Sequence, residues 1–138
     1  MFAFLAAGCG GSSKRPTAPP TPKPQANGMM SVDAFNTYLD DEKPPEAASP
    51  LSLATAFLHL EGRQPTPASL VVDLPPEGGE QARVDAQFGP LADDSIRAMR
   101  YELTFARSGD AWRLRSARWS QRCQPGRGHQ SFSPEPCV

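Results

Sequence analysis

Two cysteines near the carboxyl end, a histidine between them and arginines on either side have the most chemistry to offer in this chain. Cys123 and Cys137 enclose thirteen residues, among them three prolines and two glycines. Such a stretch has too little apolar surface to offset its own ordering entropy. Covalent closure is the expected remedy. A disulfide around a loop of about 15 residues contributes on the order of 3 kcal/mol in the chain-entropy treatment. A metal site of Cys123, His129 and Cys137 is the competing chemistry; it musters only three ligands and lacks the C-x2-C spacing of zinc sites. Within the ring, Gly126 and Gly128 flank Arg127 and leave the backbone free to present that guanidinium, and the imidazole of His129, to a carboxylate, phosphate or sulfate. In the alternative reading Arg127, His129 and Gln130 bond loop carbonyls inside the ring.

Catalysis has weaker support. No serine sits in a G-x-S-x-G elbow, and an oxidised Cys123 is no thiolate. Asp93 and Asp94 read as a cap or a solvated loop. No P-loop or dinucleotide fingerprint occurs, so no cofactor is expected. His129 is the candidate for a hydrolytic centre, and would need a carboxylate from elsewhere in the fold. His59 reads as a boundary residue of a helix.

The amino end suggests an address. Met1 to Gly8 is a short apolar stretch whose small residues Ala6, Ala7 and Gly8 run into Cys9. This resembles the end of a bacterial lipoprotein signal, and acyl chains on Cys9 would anchor the protein to a membrane of the cell envelope. Export makes oxidation of thiols the norm. With Cys9 given to lipid, Cys123 and Cys137 pair without a leftover. Residues 10–28 carry five prolines and no apolar side chain larger than Ala. The expectation is a disordered Pro-rich tether, followed by a single domain over 29–138. No apolar run approaches the roughly 20 residues that span a bilayer as a helix.

Which elements position these residues? Ser31 as N-cap, with Met30 and Phe35 at staple positions, predicts a helix over 32–40 that Pro44 and Pro45 stop. Ser49 as cap, Pro50 at the first helical position and Gly62 as terminator predict a second helix, with Leu53, Ala56, Phe57 and Leu60 on its apolar face. Period-two alternation then takes over. Residues 69–74 form one strand. Ala82, Val84, Ala86 and Phe88 mark another; Met99, Tyr101, Leu103 and Phe105 a third; Trp112 and Leu114 a fourth. Parity slips between Leu114 and Trp119, which predicts a β-bulge near Ser116 and Ala117. That bulge would return Trp119 and Cys123 to the core and align Arg113, Arg115, Arg118 and Arg122 outside. The result is an α+β domain: two short helices on one side of a four-stranded antiparallel meander, in a cystatin-like or nuclear-transport-factor-2-like layout.

Trp112-Arg113-Leu114, then Arg122-Cys123-Gln124-Pro125-Gly126-Arg127-Gly128-His129-Gln130, then Phe132-Ser133 and Cys137, resembles the C-terminal signature of small uncharacterised exported proteins and lipoproteins of bacteria, cyanobacteria among them. The resemblance covers the C-terminal third of the chain. It implies a secreted domain ending in a cystine loop and brings no activity with it.

Charge completes the reading. The chain carries −1 overall. Residues 97–138 hold eight arginines against Glu102, Asp110 and Glu135, whereas 29–96 hold twelve acids against Lys43, Arg63 and Arg83. Arg113, Arg115, Arg118, Arg122, Arg127 and His129 are therefore candidate anion-binding residues, unless the two halves neutralise each other across the fold. Nucleic acid is not an expected partner. The leading expectation is a lipid-anchored accessory domain binding an envelope protein or anionic ligand. The alternatives are a small hydrolase using His129 and a structural or inhibitory interaction module.

Overall fold

The computed structural model describes residues 17–138. Residues 1–16, including Cys9 and its expected lipidation, lie outside the described residues. The architecture is α+β, with two helices and one antiparallel sheet. The sheet has five strands rather than the expected four, in the order β1-β5-β4-β3-β2. The extra strand is β1, Met29–Met30. Two residues carry no periodicity, which is why the alternation gave no sign of it.

Helix α1 runs Asp33–Glu42, starting and ending later than expected. Ser31 is not its cap: Val32 holds that position without a side-chain hydrogen bond, and the Ser31 N–H is instead directed to the Lys23 carbonyl at 3.4 Å. At the other end, carboxylates should oppose the helix dipole. The two terminal guanidinium nitrogens of Arg113 on β5 grip both oxygens of Asp40, which offsets that repulsion in the last turn. The same bonds hold the Asp40 carboxyl below its usual range. Lys43 closes the helix in the left-handed region (φ 45°), its N–H on the Leu39 carbonyl.

A 3-10 turn at Pro45–Ala48 leads into α2, Pro50–Phe57. Ser49 caps α2 as expected, its hydroxyl accepting from the Ser52 N–H at 3.4 Å. The helix stops well short of Gly62. Leu58 is its C-cap and His59 turns left-handed at φ 50°. Arg63 reaches back to bond the Leu58 carbonyl at 3.1 Å, and so satisfies an orphan acceptor of the helix end.

The strands are β2 (Ser69–Asp73), β3 (Gln81–Phe88), β4 (Ile96–Ser108) and β5 (Ala111–Cys123). Ala82, Val84, Ala86 and Phe88 are all buried, as alternation requires. The bulge exists: Phe105 faces Leu114 while Thr104 faces Ser116, leaving Arg115 as the extra residue. It lies one position before the expected site and returns Cys123 to the core as expected, whereas Trp119, on the same face, stays half-buried at the core's margin. Trp112 and Leu114 are buried before it, Ala117, Gln121 and Cys123 after it. A second register shift at Arg97 re-aims the start of β4.

Phe35 and Leu39 of α1, with Leu53, Ala54 and Phe57 of α2, fill the core against Val84, Leu103, Phe105, Leu114 and Ala117. Phe35 and Phe57 meet edge-to-face, their centroids 5.1 Å apart. Asn36 also ties α1 to the sheet by donating to the Leu114 carbonyl at 2.8 Å.

The outer edge of β5 is covered by both ends of the described chain. β1 pairs with Ala117 and Arg118, and the Gly28 carbonyl accepts the Trp119 N–H at 2.8 Å. Beyond it, Ser133 exchanges two backbone bonds with Gln121, and the His129 carbonyl accepts the Cys123 N–H at 3.0 Å. A sheet edge left open would be a template for unwanted pairing. Gly28 sits where these two covers meet. With φ 82°, and Pro134 and the Trp119 carbonyl about 3.1–3.2 Å from where a Cβ would stand, the position suits glycine alone.

Candidate functional site

Cys123 and Cys137 form the expected disulfide, with Cα atoms 5.5 Å apart. The His129 ring lies close to both sulfurs, so the three potential metal ligands are gathered. Sulfurs bonded to each other offer no thiolate, and the imidazole is otherwise engaged. Its Nδ1 faces the Ser131 carbonyl at 2.8 Å and its Nε2 faces the Glu135 carbonyl at 2.9 Å. A carbonyl oxygen only accepts, so both bonds form together only when both ring nitrogens carry protons. The Glu135 carbonyl, and then that of Ser131, accordingly raises the His129 pKa above its ordinary value.

This geometry has a pH consequence. A folded-state pKa above the unfolded one favours the fold fully below the ordinary histidine range, and that contribution fades as pH rises through the folded value. We expect the Ser131–Glu135 segment to exchange its amides faster, after correction for intrinsic rates, once His129 deprotonates. An NMR titration of its ring protons with a midpoint at or below that of an unstructured peptide would contradict this.

The rest of the ring is self-bonded. Gln130 directs its amide to the carbonyls of Gly128, Gln124 and Cys123 at 3.2, 3.3 and 3.4 Å. The Val138 N–H donates to the Arg127 carbonyl, and Ser95 Oγ to that of Val138. Buried Gln121 reaches the Glu135 carbonyl at 2.7 Å. Gly128 (φ 132°) lies against the disulfide: a Cβ there would stand 3.0 Å from Cys123 Sγ. Asp93 serves the neighbouring loop, as its sequence context suggests. Its carboxylate accepts from the Ser95 and Ile96 N–H groups, the Ile96 bond being the larger cause of its lowered pKa.

The candidate anion-binding residues do not converge. Arg113 is committed to Asp40 on the helical side. Arg115 and Arg118 are exposed. Arg122 stacks on Phe132, 4.8 Å from the ring centroid, with Arg100 on the same ring at 5.9 Å. Arg127 is exposed at the turn of the ring, and His129 is folded into its own loop.

A more concentrated site lies elsewhere. Sheet register sets Ala86, Tyr101 and Trp119 in one row, with Phe88, Met99 and Gln121 in the next. Because α2 ends at Phe57, no helix turn continues over these rows. The space is an open cleft of about 690 Å³. Met30, Leu58, Met99, Tyr101 and Trp119 form its apolar walls, Thr21, Pro22 and Pro24 one flank, and His59, Glu61, Gly62 and Arg63 contribute to the rest. The expected tether thus contributes residues to a site, and Trp119 Nε1 donates to the Gln25 carbonyl at 2.9 Å within the same stretch. A second depression of about 700 Å³ beside α2 contains Glu46, Glu61 and helix-surface hydroxyls; it has no row of aromatic side chains and no arginine.

Arg63 was not singled out by sequence reasoning. It lies outside the apolar pattern, and its one signal is being a rare cation in the acidic half of the chain. Its guanidinium lies over Phe88 (4.6 Å to the ring centroid) and near Tyr101 (5.6 Å), two rings that stand edge-on to each other. Comparison with protein-family models, curated proteins and solved structures finds no match for the chain. Chemically, the cleft can enclose an apolar body and present to it the Arg63 cation and the Tyr101 hydroxyl, with Thr21, His59 and Glu61 as the other polar groups of its lining.

Proposed function

We propose that the protein is a lipid-anchored binding domain of the bacterial envelope, without catalysis of its own, whose ligand occupies the cleft beside Tyr101 and Trp119. The observation that carries the binding reading is the cleft itself. Its size lies within the range of small-molecule sites, and its walls are largely apolar with few polar groups. The anchor rests on the lipoprotein-like run into Cys9, and the exported address is consistent with the cystine. The resemblance to small exported proteins belongs to the same proposal, as does the wrapped-sheet comparison, which names a layout and no activity.

Titration with a neutral apolar probe such as dodecanol, followed by Trp119 emission and by calorimetry, tests the cleft. Saturable binding with a blue shift is the expected result, and Trp119→Phe should lose the optical change. No saturable binding by calorimetry would end the reading. The anchor is tested separately: in a bacterial host, Cys9→Ser should move the protein from the membrane fraction to the soluble one.

One observation favours a second reading, the rigid interaction module. Arg127 stands exposed in a ring closed by a cystine and stiffened by its own side chains. Reduction should then abolish capture of an envelope partner while leaving probe binding in the cleft intact. The hydrolase reading has no comparable support, because both nitrogens of His129 face backbone carbonyls.

A further inference from the structure

The cleft contains a cation that no carboxylate meets. Arg63 Nη1 donates to the Leu58 carbonyl at 3.1 Å, and Nη2 lies 3.5 Å from the Tyr101 hydroxyl. Both partners are neutral, and so are the rings it lies against. They fix the guanidinium in place and stabilise it in part, through the carbonyl end of α2 and the ring faces, but supply no formal negative charge. No ion pair involves Arg63 among the described residues, while Arg83, Arg100 and Arg113 each have an acidic partner. Glu61, which lines the same cleft, is exposed and makes no ion pair with it.

A half-buried charge against apolar walls is costly until something of opposite sign meets it. A guanidinium has five N–H donors, and the two bonds above leave further donors for a ligand. Planar donors in a fixed fork match a carboxylate better than any neutral head. Beside this cation the cleft offers Met30, Met99 and Trp119, a surface suited to a hydrocarbon chain.

The geometry points to an anionic amphiphile as the ligand: an oxyanion head, carboxylate or phosphodiester, on Arg63 and an apolar tail along Met99 and Trp119. The inference rests on the binding reading above and adds the class of ligand. A hydrogen bond to a charged group is worth about 10-fold or more in affinity over its neutral counterpart. Dodecanoate should therefore bind about 10-fold tighter than dodecanol, and dodecyltrimethylammonium no tighter than the alcohol. Arg63→Gln should bring dodecanoate down to the affinity of dodecanol, and Arg63→Lys should keep part of the preference.

Equal affinity of the native protein for dodecanoate and dodecanol would overturn the inference and leave the cleft reading standing. Failure of both to bind would remove the cleft reading itself. Because the first comparison needs no variant, it holds even if Arg63→Gln, which also uncaps α2, folds poorly. Vesicles separate the sources of such a head. A Trp119 response to phosphatidylglycerol vesicles but not to phosphatidylcholine ones assigns it to a bilayer lipid. A response to dodecanoate alone assigns it to a free acid.

Discussion

Replacing Cys137 with serine is expected to lower the unfolding free energy by about 3 kcal/mol, the chain-entropy value for a ring of this size. The loss should be spatially uneven. Ser133 and His129 cover the β5 edge at Gln121 and Cys123, and these residues are held to the sheet by a segment that has little core burial of its own. The Gln121 and Cys123 amides should exchange much faster in the variant. The Trp119 amide should change less, because its acceptor is the Gly28 carbonyl on the other side of the joint. Hydrogen exchange read residue by residue checks this. Unchanged protection at Gln121 and Cys123 would show that the tail docks without its covalent clasp.

Phe57→Ala should cost about 3–5 kcal/mol, as truncation of a buried aromatic side chain usually does. The ring is fully buried, lies edge-on to Phe35 and belongs to the core cluster that joins both helices to the sheet. Its loss opens a void that the β4 and β5 side chains, fixed by cross-strand neighbours, can fill only in part. For a domain with the usual stability of about 5–15 kcal/mol, this removes a large share. Leu51→Ala on the same helix is the control. Leu51 is 39% exposed, so its truncation should cost much less. Denaturant melts of the two variants decide it, and comparable costs would refute the placement of Phe57 at the centre of the core.

Much of the fold was legible because burial on one face of a strand forces a period of two. Val84, Leu103, Phe105 and Leu114 declared themselves in this way, and the slip of parity after Leu114 announced a bulge that the structure places at Arg115. Helix ends were read less well, because their signals compete with tertiary partners. Ser31 had the right chemistry for a cap, but its backbone is engaged by Lys23. Gly62 had the right chemistry for a terminator, but the helix had already ended at Leu58. β1 was invisible, since two residues show no pattern and their partner lies far along the chain.

The disulfide was legible from the number and spacing of the cysteines together with the exported address; of the inward bonds expected of Arg127, His129 and Gln130, the structure shows those of His129 and Gln130 and leaves the Arg127 side chain exposed. The cleft was not. It depends on where α2 stops, and on side chains that a sequence reader assigns to the core: Tyr101 and Trp119 alternate as interior residues should. Arg63 gains its meaning only from the rings of Phe88 and Tyr101, which are distant in sequence. The arginines that did stand out, Arg113 to Arg122, are distributed by the sheet among Asp40, Phe132 and open surface, so their nearness in sequence produced no common site.

Both ends of the described chain are stitched to one strand, and under the anchor proposed at Cys9 this would have a mechanical meaning. Tension from the membrane side would arrive through the proline-rich stretch and load the short pairing at Met29 and Met30 before any other part of the sheet. Peeling that pairing would bare the Trp119 amide and unseat Pro22 and Pro24 from the mouth of the cleft. The sulfur bond would meanwhile keep the neighbouring half of the strand clamped. Such a joint yields at one end first, so a tug on the anchor would widen the entrance before it endangered the fold.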